Sequence, residues 1–169
     1  IEHAHLALAA LELLSERGWA LDPRRIAAGF AAARWPGRLD WADEGLLLDG
    51  AHNPQAARAL LEYLREFLPG RRTILLTAMM RDKQPEACAD ILADCAALVV
   101  TTQVEGPRAL PAGELAAVYR ARGTRAEAHP EPGEALETAR TAAGPDGIVV
   151  ACGSLYLVGE LMKLTGRRI

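Results

Sequence analysis

The chain has few cysteines, no excess of basic residues and no long apolar run, and each shortage excludes a class of protein. Its three cysteines, Cys88, Cys95 and Cys152, form no C-x-x-C pair. Their odd number and spacing argue against both a disulfide framework and a zinc site. The net charge of −3, without a basic cluster that carries interleaved aromatic residues, argues against nucleic acid as a partner. No apolar stretch approaches the roughly 20 residues that span a bilayer, so we expect no membrane partner.

The chain also lacks G-x-x-x-x-G-K-[ST], the loop with which many ATPases grip the β- and γ-phosphates. Nothing in it resembles a cleavable signal, so we expect a cytoplasmic protein. What it does have is 169 residues with an apolar share of 50%, which is enough for the core of one ordinary domain.

Alternating apolar segments predict a doubly wound α/β domain that follows two helices. Residues 2–16 have the apolar spacing of a helix, which Gly18 ends, and Asp22-Pro23 caps a second helix that runs to about residue 33. Residues 35–37, Trp-Pro-Gly, predict a linker. A hairpin over residues 39–49 follows. Beyond it we predict strands at 72–78, 97–102, 125–128 and 147–151, and helices at 55–67, 84–92, 111–122, 133–143 and 154–164.

Residues 46–54, LLLDGAHNP, combine a buried strand, a turn and the start of a helix. Three leucines suit a strand that is covered on both faces, and Asp49 stands at its carboxyl end. Asn53 is a preferred N-cap and Pro54 a preferred first helical residue. The helix therefore presents unpaired backbone N–H groups above the strand ends, which predicts an anion site.

Ligands of open parallel sheets bind outside the carboxyl ends of the strands. Four segments follow predicted apolar strands in this way: residues 49–53, 77–83, 101–108 and 152–154. The last of them begins a second helix at Ser154, whose amino end suits a carboxylate.

Motifs in these positions resemble one family. WPGR at residues 35–38, LLLDGAHNPQAARAL at 46–60 and GSLYLVGE at 153–160 are similar to the carboxyl-terminal domain of folylpolyglutamate synthase/dihydrofolate synthase, in the Mur ligase superfamily. AMMRDK at 78–83 and GPRALP at 106–111 resemble two further segments of that domain, in the same order.

The resemblance implies a domain organisation. Residues 36–169 are expected to form a Rossmann-like, mostly parallel sheet with helices on both faces. Residues 1–35 are expected to be a linker and a helical remnant of an amino-terminal ATPase domain. The phosphate loop, the Mg²⁺ ligands and most of the folate pocket belong to that domain, which these 169 residues lack. We therefore expect a part of a longer ligase that is inactive alone.

The family's reaction is ATP-dependent amide formation. A carboxylate is phosphorylated to an acyl phosphate, which the amine of L-glutamate then attacks. The resemblance implies ATP with Mg²⁺, L-glutamate, and dihydropteroate or a reduced folate polyglutamate as ligands of the whole enzyme, and the ATPase domain as the partner of this chain.

Four side chains are candidates for contacts with these ligands. The resemblance implies ATP contacts for Arg38 and Asp49, a catalytic role for His52 and a glutamate contact for Ser154. A guanidinium can hold a phosphate through two parallel hydrogen bonds, and an imidazole can serve phosphate oxygens or the incoming amino acid. Local alternatives stay open: a surface position for Arg38, a turn cap for Asp49, a bond to a turn carbonyl for His52 and a helix cap for Ser154.

No metal ligand is assigned in this chain, and Asp82 and Lys83 match the family without an assigned role. Two other functions also stay open. A Mur-superfamily ligase of cell-wall precursors would share the D-x-A-H-N-P pattern, although residues 107–111 and 153–160 favour the folate branch. A non-catalytic Rossmann-like nucleotide-binding module would share the fold, but the first strand lacks G-x-G-x-x-G.

Overall fold

The computed structural model describes residues 2–167, which divide into two compact units between Trp35 and Pro36. The first unit contains α1 (Glu2–Glu16) and α2 (Pro23–Ala32). Asp22 caps α2, since its carboxylate accepts a hydrogen bond of 2.9 Å from the backbone N–H of Arg24. The apolar side chains of this unit are largely exposed, among them Leu6, Leu13, Trp19 and Phe30.

The second unit is a six-stranded sheet with helices on both faces, as predicted. The strand order is β1-β2-β6-β3-β4-β5. β1 runs antiparallel to β2, and every other neighbouring pair is parallel. The strands are β1 (Asp40–Asp43), β2 (Leu46–Leu48), β3 (Thr73–Thr77), β4 (Leu98–Thr101), β5 (Ala126–Ala128) and β6 (Ile148–Cys152).

The central strands are buried at every position because both faces of the sheet are covered. Leu47 and Val150 point to one face, which α3 (Pro54–Phe67), α4 (Pro85–Leu92) and α5 (Ala112–Arg120) cover. Leu48 and Ala151 point to the other face, which α6 (Pro132–Ala143) and α7 (Leu155–Leu164) cover. Side chains of a strand alternate between faces, so β2, β3, β4 and β6 each contribute to both halves of the core.

β6 follows β2 and β3 in the chain but lies between them in the sheet. It pairs with β2 through Leu48↔Ala151 and with β3 through Leu76↔Ala151. The helix after β2 covers one face, whereas the helix after β6 covers the other. Such a reversal is a topological switch point, where open α/β sheets form a crevice outside the strand ends. Among residues 2–167, no helix is long and apolar enough to cross a bilayer.

Candidate functional site at the carboxyl ends of β2 and β6

The loops that follow β2 and β6 are hydrogen-bonded to each other. The N–H of Asp49 donates to the carbonyl of Ala151 over 2.9 Å, and the N–H of Gly153 donates to the carbonyl of Ala51 over 2.6 Å. The segments 49–53 and 152–154, which lie far apart in the sequence, therefore form one side of the crevice.

Gly153 permits this close approach. Its φ of +96° is unfavourable for residues with a side chain. A Cβ atom there would lie 2.5 Å from Oγ1 of Thr77 and against the carbonyl oxygen of Ala78. The loop after β6 thus packs directly on the end of β3.

Two helices begin at this crevice. Asn53 caps α3, since its side-chain oxygen accepts from the N–H of Ala56 over 2.9 Å, and Pro54 follows as predicted. Ser154 caps α7 by accepting from the N–H of Tyr156 over 3.1 Å. Helix amino ends carry partial positive charge, so two of them beside one switch point favour anionic ligands.

Ser154 is only 3% exposed. Its hydroxyl oxygen serves as the helix cap, which is the local role that the sequence left open. A hydroxyl group that accepts one hydrogen bond can still donate its own hydrogen. The cap therefore leaves Ser154 one donor for a ligand.

His52 is half-buried, and its Nδ1 lies 2.8 Å from the carbonyl oxygen of Gly50. A carbonyl can only accept, so Nδ1 carries the hydrogen. The neutral ring then has an unprotonated Nε2 that can accept a hydrogen bond or a proton. The bond to a turn carbonyl fixes the ring orientation and leaves the other nitrogen for a ligand.

Asp49 is 6% exposed, and both of its carboxylate oxygens accept backbone hydrogen bonds. Oδ1 accepts from the N–H of Ala51 over 2.8 Å, and Oδ2 accepts from the N–H of Leu39 over 2.9 Å. Burial raises the pKa of Asp49, although these two bonds and the charge of Arg38 act in the opposite direction. The turn-capping role is thus present, together with a contact to the segment that carries Arg38.

Arg38 is exposed and lies in a segment that crosses the carboxyl end of β2. The carbonyl of Gly37 accepts a hydrogen bond of 2.7 Å from the N–H of Gly50. The structure therefore brings Arg38, Asp49, His52 and Ser154 to the same edge of the sheet. The sequence predicted this edge for the last three, whereas the place of Arg38 follows from contacts between distant residues.

The two remaining motifs of the resemblance pair with each other at the neighbouring strand ends. Met80 and Ala109 form an isolated antiparallel bridge, and the N–H of Arg81 donates to the carbonyl of Arg108 over 2.9 Å. Arg108 also forms an ion pair of 3.2 Å with Asp82. Residues 78–83 and 106–111 are thus paired with each other beside the carboxyl ends of β3 and β4.

Sequence reasoning missed Asp40. Its carboxylate accepts from the N–H of Gly37 over 3.1 Å and forms an ion pair of 3.0 Å with Arg167. No spacing or periodicity signals the pairing with Arg167, because that residue lies 127 residues away.

A cluster of acidic, histidine or cysteine side chains would mark a metal site of the kind that protein groups alone can form. Among the described residues, no group of three or more His, Cys, Asp or Glu side chains could hold a metal ion.

A cleft of about 820 Å³ lies at the opposite edge of the sheet, beside the amino ends of β2 and β6. Its lining includes Arg71 and Arg140. Arg140 pairs with Asp43 over 2.6 Å, and Arg71 donates to the carbonyl of Gly147 over 2.9 Å. Because these guanidinium groups are engaged and the cleft lies away from the switch point, we place the functional site at the carboxyl ends.

Comparison with known proteins identifies the family. The model of the Mur ligase glutamate ligase domain matches residues 37–155. The chain belongs to this family. The matched range contains every strand of the second unit and the start of α7, so the Mur ligase match includes both loops of the crevice.

Relatives of this Mur ligase domain include a folylpolyglutamate synthase and a diaminopimelate ligase. Folylpolyglutamate synthase of Lacticaseibacillus casei is 33% identical over 148 residues, which cover 86% of this chain and 33% of that protein. UDP-N-acetylmuramoyl-L-alanyl-D-glutamate--2,6-diaminopimelate ligase of Corynebacterium efficiens is 37% identical over 175 aligned positions, which cover 94% of this chain and 33% of that protein. The chain thus spans about a third of the length of these relatives.

Solved structures show the same domain. Mycobacterium tuberculosis folylpolyglutamate synthase complexed with ADP and AMPPCP superposes with a TM-score of 0.87 at 31% identity, over 96% of this chain and 39% of that chain. Yersinia pestis folylpolyglutamate synthase/dihydrofolate synthase with Mn, AMPPNP and L-glutamate bound gives a TM-score of 0.81 at 29% identity, over 93% of this chain and 38% of that chain. The predicted family and fold are confirmed.

Proposed function

We propose that this chain is the carboxyl-terminal part of an ATP-dependent amide ligase that adds L-glutamate to dihydropteroate, to reduced folate polyglutamates, or to both. The observation that carries the proposal is the pair of helix starts, α3 and α7, at the switch point between β2 and β6. The M. tuberculosis and Y. pestis structures support it, because those enzymes share this fold and are bound to nucleotides, the second also to L-glutamate.

In this proposal the amino end of α7 binds a carboxylate of L-glutamate. The N–H groups of the first helical turn and the hydroxyl hydrogen of Ser154 are its donors. Burial of Ser154 strengthens such a bond, because little water competes for the donor.

His52 acts through Nε2. The neutral ring accepts a hydrogen bond or a proton from the amine of glutamate, which must be deprotonated before it attacks. In its protonated form the same nitrogen donates to a phosphate oxygen. The bond from Nδ1 to Gly50 holds the ring in one orientation for either role.

Arg38 supplies a fixed positive charge to the phosphates of ATP. Magnesium and the remaining phosphate contacts come from an ATPase domain. Residues 1–35 are proposed to be the last helices of that domain and the linker that follows it. We propose that the present chain alone therefore binds nucleotide weakly and has no ligase activity.

Binding of single substrates by the isolated chain is the first test. Titration with L-glutamate, followed by backbone amide NMR, is expected to shift the signals of Leu155 and Tyr156. Ser154→Ala removes the proposed donor and should weaken this binding, whereas Thr138→Ala on α6 is a matched control away from the crevice. Unchanged spectra at high glutamate concentration would contradict a glutamate site in this chain.

Activity requires the whole enzyme. We would replace the corresponding third of L. casei folylpolyglutamate synthase with this chain and measure ATP-dependent ligation of glutamate. The hybrid should release ADP with dihydropteroate or tetrahydrofolate, and the chain alone should not. Turnover by the chain alone would overturn the proposed dependence on an ATPase domain, and a hybrid that binds all substrates without turnover would favour a binding module.

The C. efficiens relative favours a second candidate, a ligase that adds diaminopimelate to a cell-wall precursor. The two candidates differ in the amino acid that the crevice accepts. Shifts at Leu155 and Tyr156 with meso-diaminopimelate, and none with L-glutamate, would select the cell-wall ligase.

A further inference from the structure

We propose that Asp40 and Asp49 are positioning residues whose carboxylates hold residues 37–39, and with them Arg38, across the carboxyl end of β2. Residues 37–39 are called the arginine segment below. This inference rests on the proposed function for the use of Arg38, but the holding of the segment can be tested without any ligand.

Asp49 holds the far end of the arginine segment. Its Oδ2 accepts from the N–H of Leu39, ten residues away, while its Oδ1 accepts from the N–H of Ala51 in its own turn. Both carboxylate oxygens accept backbone hydrogen bonds, and only 6% of the residue is exposed. The carboxylate therefore serves the local structure more than it serves a ligand.

Asp40 and Gly50 hold the near end. The N–H of Gly37 donates to Asp40 over 3.1 Å, and the carbonyl of Gly37 accepts from Gly50 over 2.7 Å. The second oxygen of Asp40 pairs with Arg167 over 3.0 Å, which fixes the carboxylate in turn. The peptide groups on both sides of Arg38 are therefore bonded to the loop after β2 or to β1.

The backbone around Arg38 also departs from its relaxed form. Gly37 has φ of +69° and Leu39 has φ of +45°. The left-handed conformation costs a residue such as leucine about 1–2 kcal/mol, so it persists only where other bonds hold it. A Cβ at position 37 would lie 2.6 Å from Cγ1 of Val158, which shows that the arginine segment packs closely on α7.

This arrangement assigns different tasks to Arg38 and Asp49, although the resemblance implied an ATP contact for both. Arg38 is exposed and meets the ligand, while Asp40 and Asp49 determine the direction from which its guanidinium group approaches. A pre-oriented guanidinium loses less entropy on binding a phosphate than one on a mobile segment.

Asp49→Asn separates the two bonds of this carboxylate. An amide has one acceptor oxygen, whereas Asp49 serves two N–H donors. The bond to Ala51 is the local contact that asparagine also makes in turns, so its oxygen is expected to stay there. The NH₂ group would then face the N–H of Leu39, and the arginine segment would be released.

Amide hydrogen exchange of the full 169-residue chain tests the holding. Asp49→Asn should speed exchange at Leu39 and Gly50 about five- to tenfold, the loss expected for one net hydrogen bond. Asp43→Asn, which removes an aspartate at the other edge of the sheet, should leave both amides unchanged. Asp40→Ala should speed exchange at Gly37. Wild-type protection of these amides in both the Asp49→Asn and Asp40→Ala chains would overturn the proposal.

A double-mutant cycle tests whether Asp49 acts through Arg38. It is measured on the ADP affinity of the hybrid enzyme. Asp49→Asn should weaken ADP binding severalfold when Arg38 is present and have no further effect in the Arg38→Ala background. Full additivity would show that Asp49 touches the nucleotide by itself and would overturn its positioning role. Absence of ADP binding by the hybrid enzyme that carries the wild-type chain, together with the expected exchange result, would contradict the proposed function and leave the held segment intact.

Discussion

Burial and hydrogen bonding together raise the pKa of Asp49 and lower the pKa of Asp43. Burial is the largest influence on Asp49 and raises its pKa, in spite of bonds from Leu39 and Ala51. Burial also acts on Asp43, but the hydrogen bond and charge of Arg140 and the bond from Gly45 outweigh it, so the pKa is lowered. Two aspartates of one domain therefore respond to pH in opposite directions.

The contributions of Asp49 and Asp43 to the free energy of unfolding should therefore change with pH in opposite directions. A raised folded-state pKa means that the contribution of Asp49 is complete below pH 3.8 and is lost as the pH rises through the raised value. The stability of wild type relative to Asp49→Asn should thus fall with rising pH. Relative to Asp43→Asn it should increase, because a lowered pKa gives a contribution that is present above pH 3.8 and lost on acidification.

Urea denaturation of the three chains between about pH 3 and pH 6 measures both differences. Parallel pH curves for wild type and Asp49→Asn would contradict the burial of a charged carboxylate at this position.

Two glycines of the GSLYLVGE motif should respond oppositely to alanine. At Gly153 a Cβ would strike the carbonyl oxygen of Ala78 in a backbone with φ of +96°, so Gly153→Ala should cost about 2–5 kcal/mol. At Gly159, inside α7, no atom of residues 2–167 that could clash lies within 4 Å of the new Cβ. Gly159→Ala should therefore stabilise the chain by about 0.5–1 kcal/mol. Urea midpoints of the two variants decide both expectations.

Residue identity indicated the crevice but not its internal bonds. Asp49, His52 and Ser154 were predictable because each follows an apolar strand, and such positions line the crevice of an open sheet. The bonds of Asp49 to Leu39 and of Asp40 to Arg167 were not, because hydrogen bonds between distant segments depend on how strands are arranged.

At the scale of elements, α3 and α7 begin with side-chain caps that the sequence made visible. Asn53 and Ser154 each accept a hydrogen bond from a backbone N–H in the first turn. Strands were equally visible, since runs such as TILLT between turn residues suit burial on both faces. Strand order was hidden, because β6 has the same apolar character as the neighbours that it separates.

Loss of the α3 cap should have a modest, local effect on the free energy of unfolding. Asn53→Ala removes the acceptor for the N–H of Ala56 and should lower the unfolding free energy by about 1 kcal/mol. Gln55→Ala, at an exposed position of the same turn, should change it little. Thermal or urea denaturation compares them, and equal effects would mean that the cap contributes nothing to stability.

At the scale of the molecule, the sheet is joined through β6. Without this strand, β1 and β2 lose their connection to β3, β4 and β5. A chain that ends at Asp146 should therefore show no cooperative unfolding transition. A chain of residues 36–169, which keeps the complete second unit, should retain one. Far-UV circular dichroism in urea separates these outcomes, and a cooperative transition in the shorter chain would show that β6 is not required.

The position of β6 has a consequence for synthesis on the ribosome. The polypeptide is made from its amino end, so β2 and β3 emerge before the strand that must lie between them. Until then each of these two strands keeps one edge without its native partner, and such edges promote aggregation. The nascent chain can begin to collapse early, but closure of the sheet, and with it the crevice, must wait for residues 148–152.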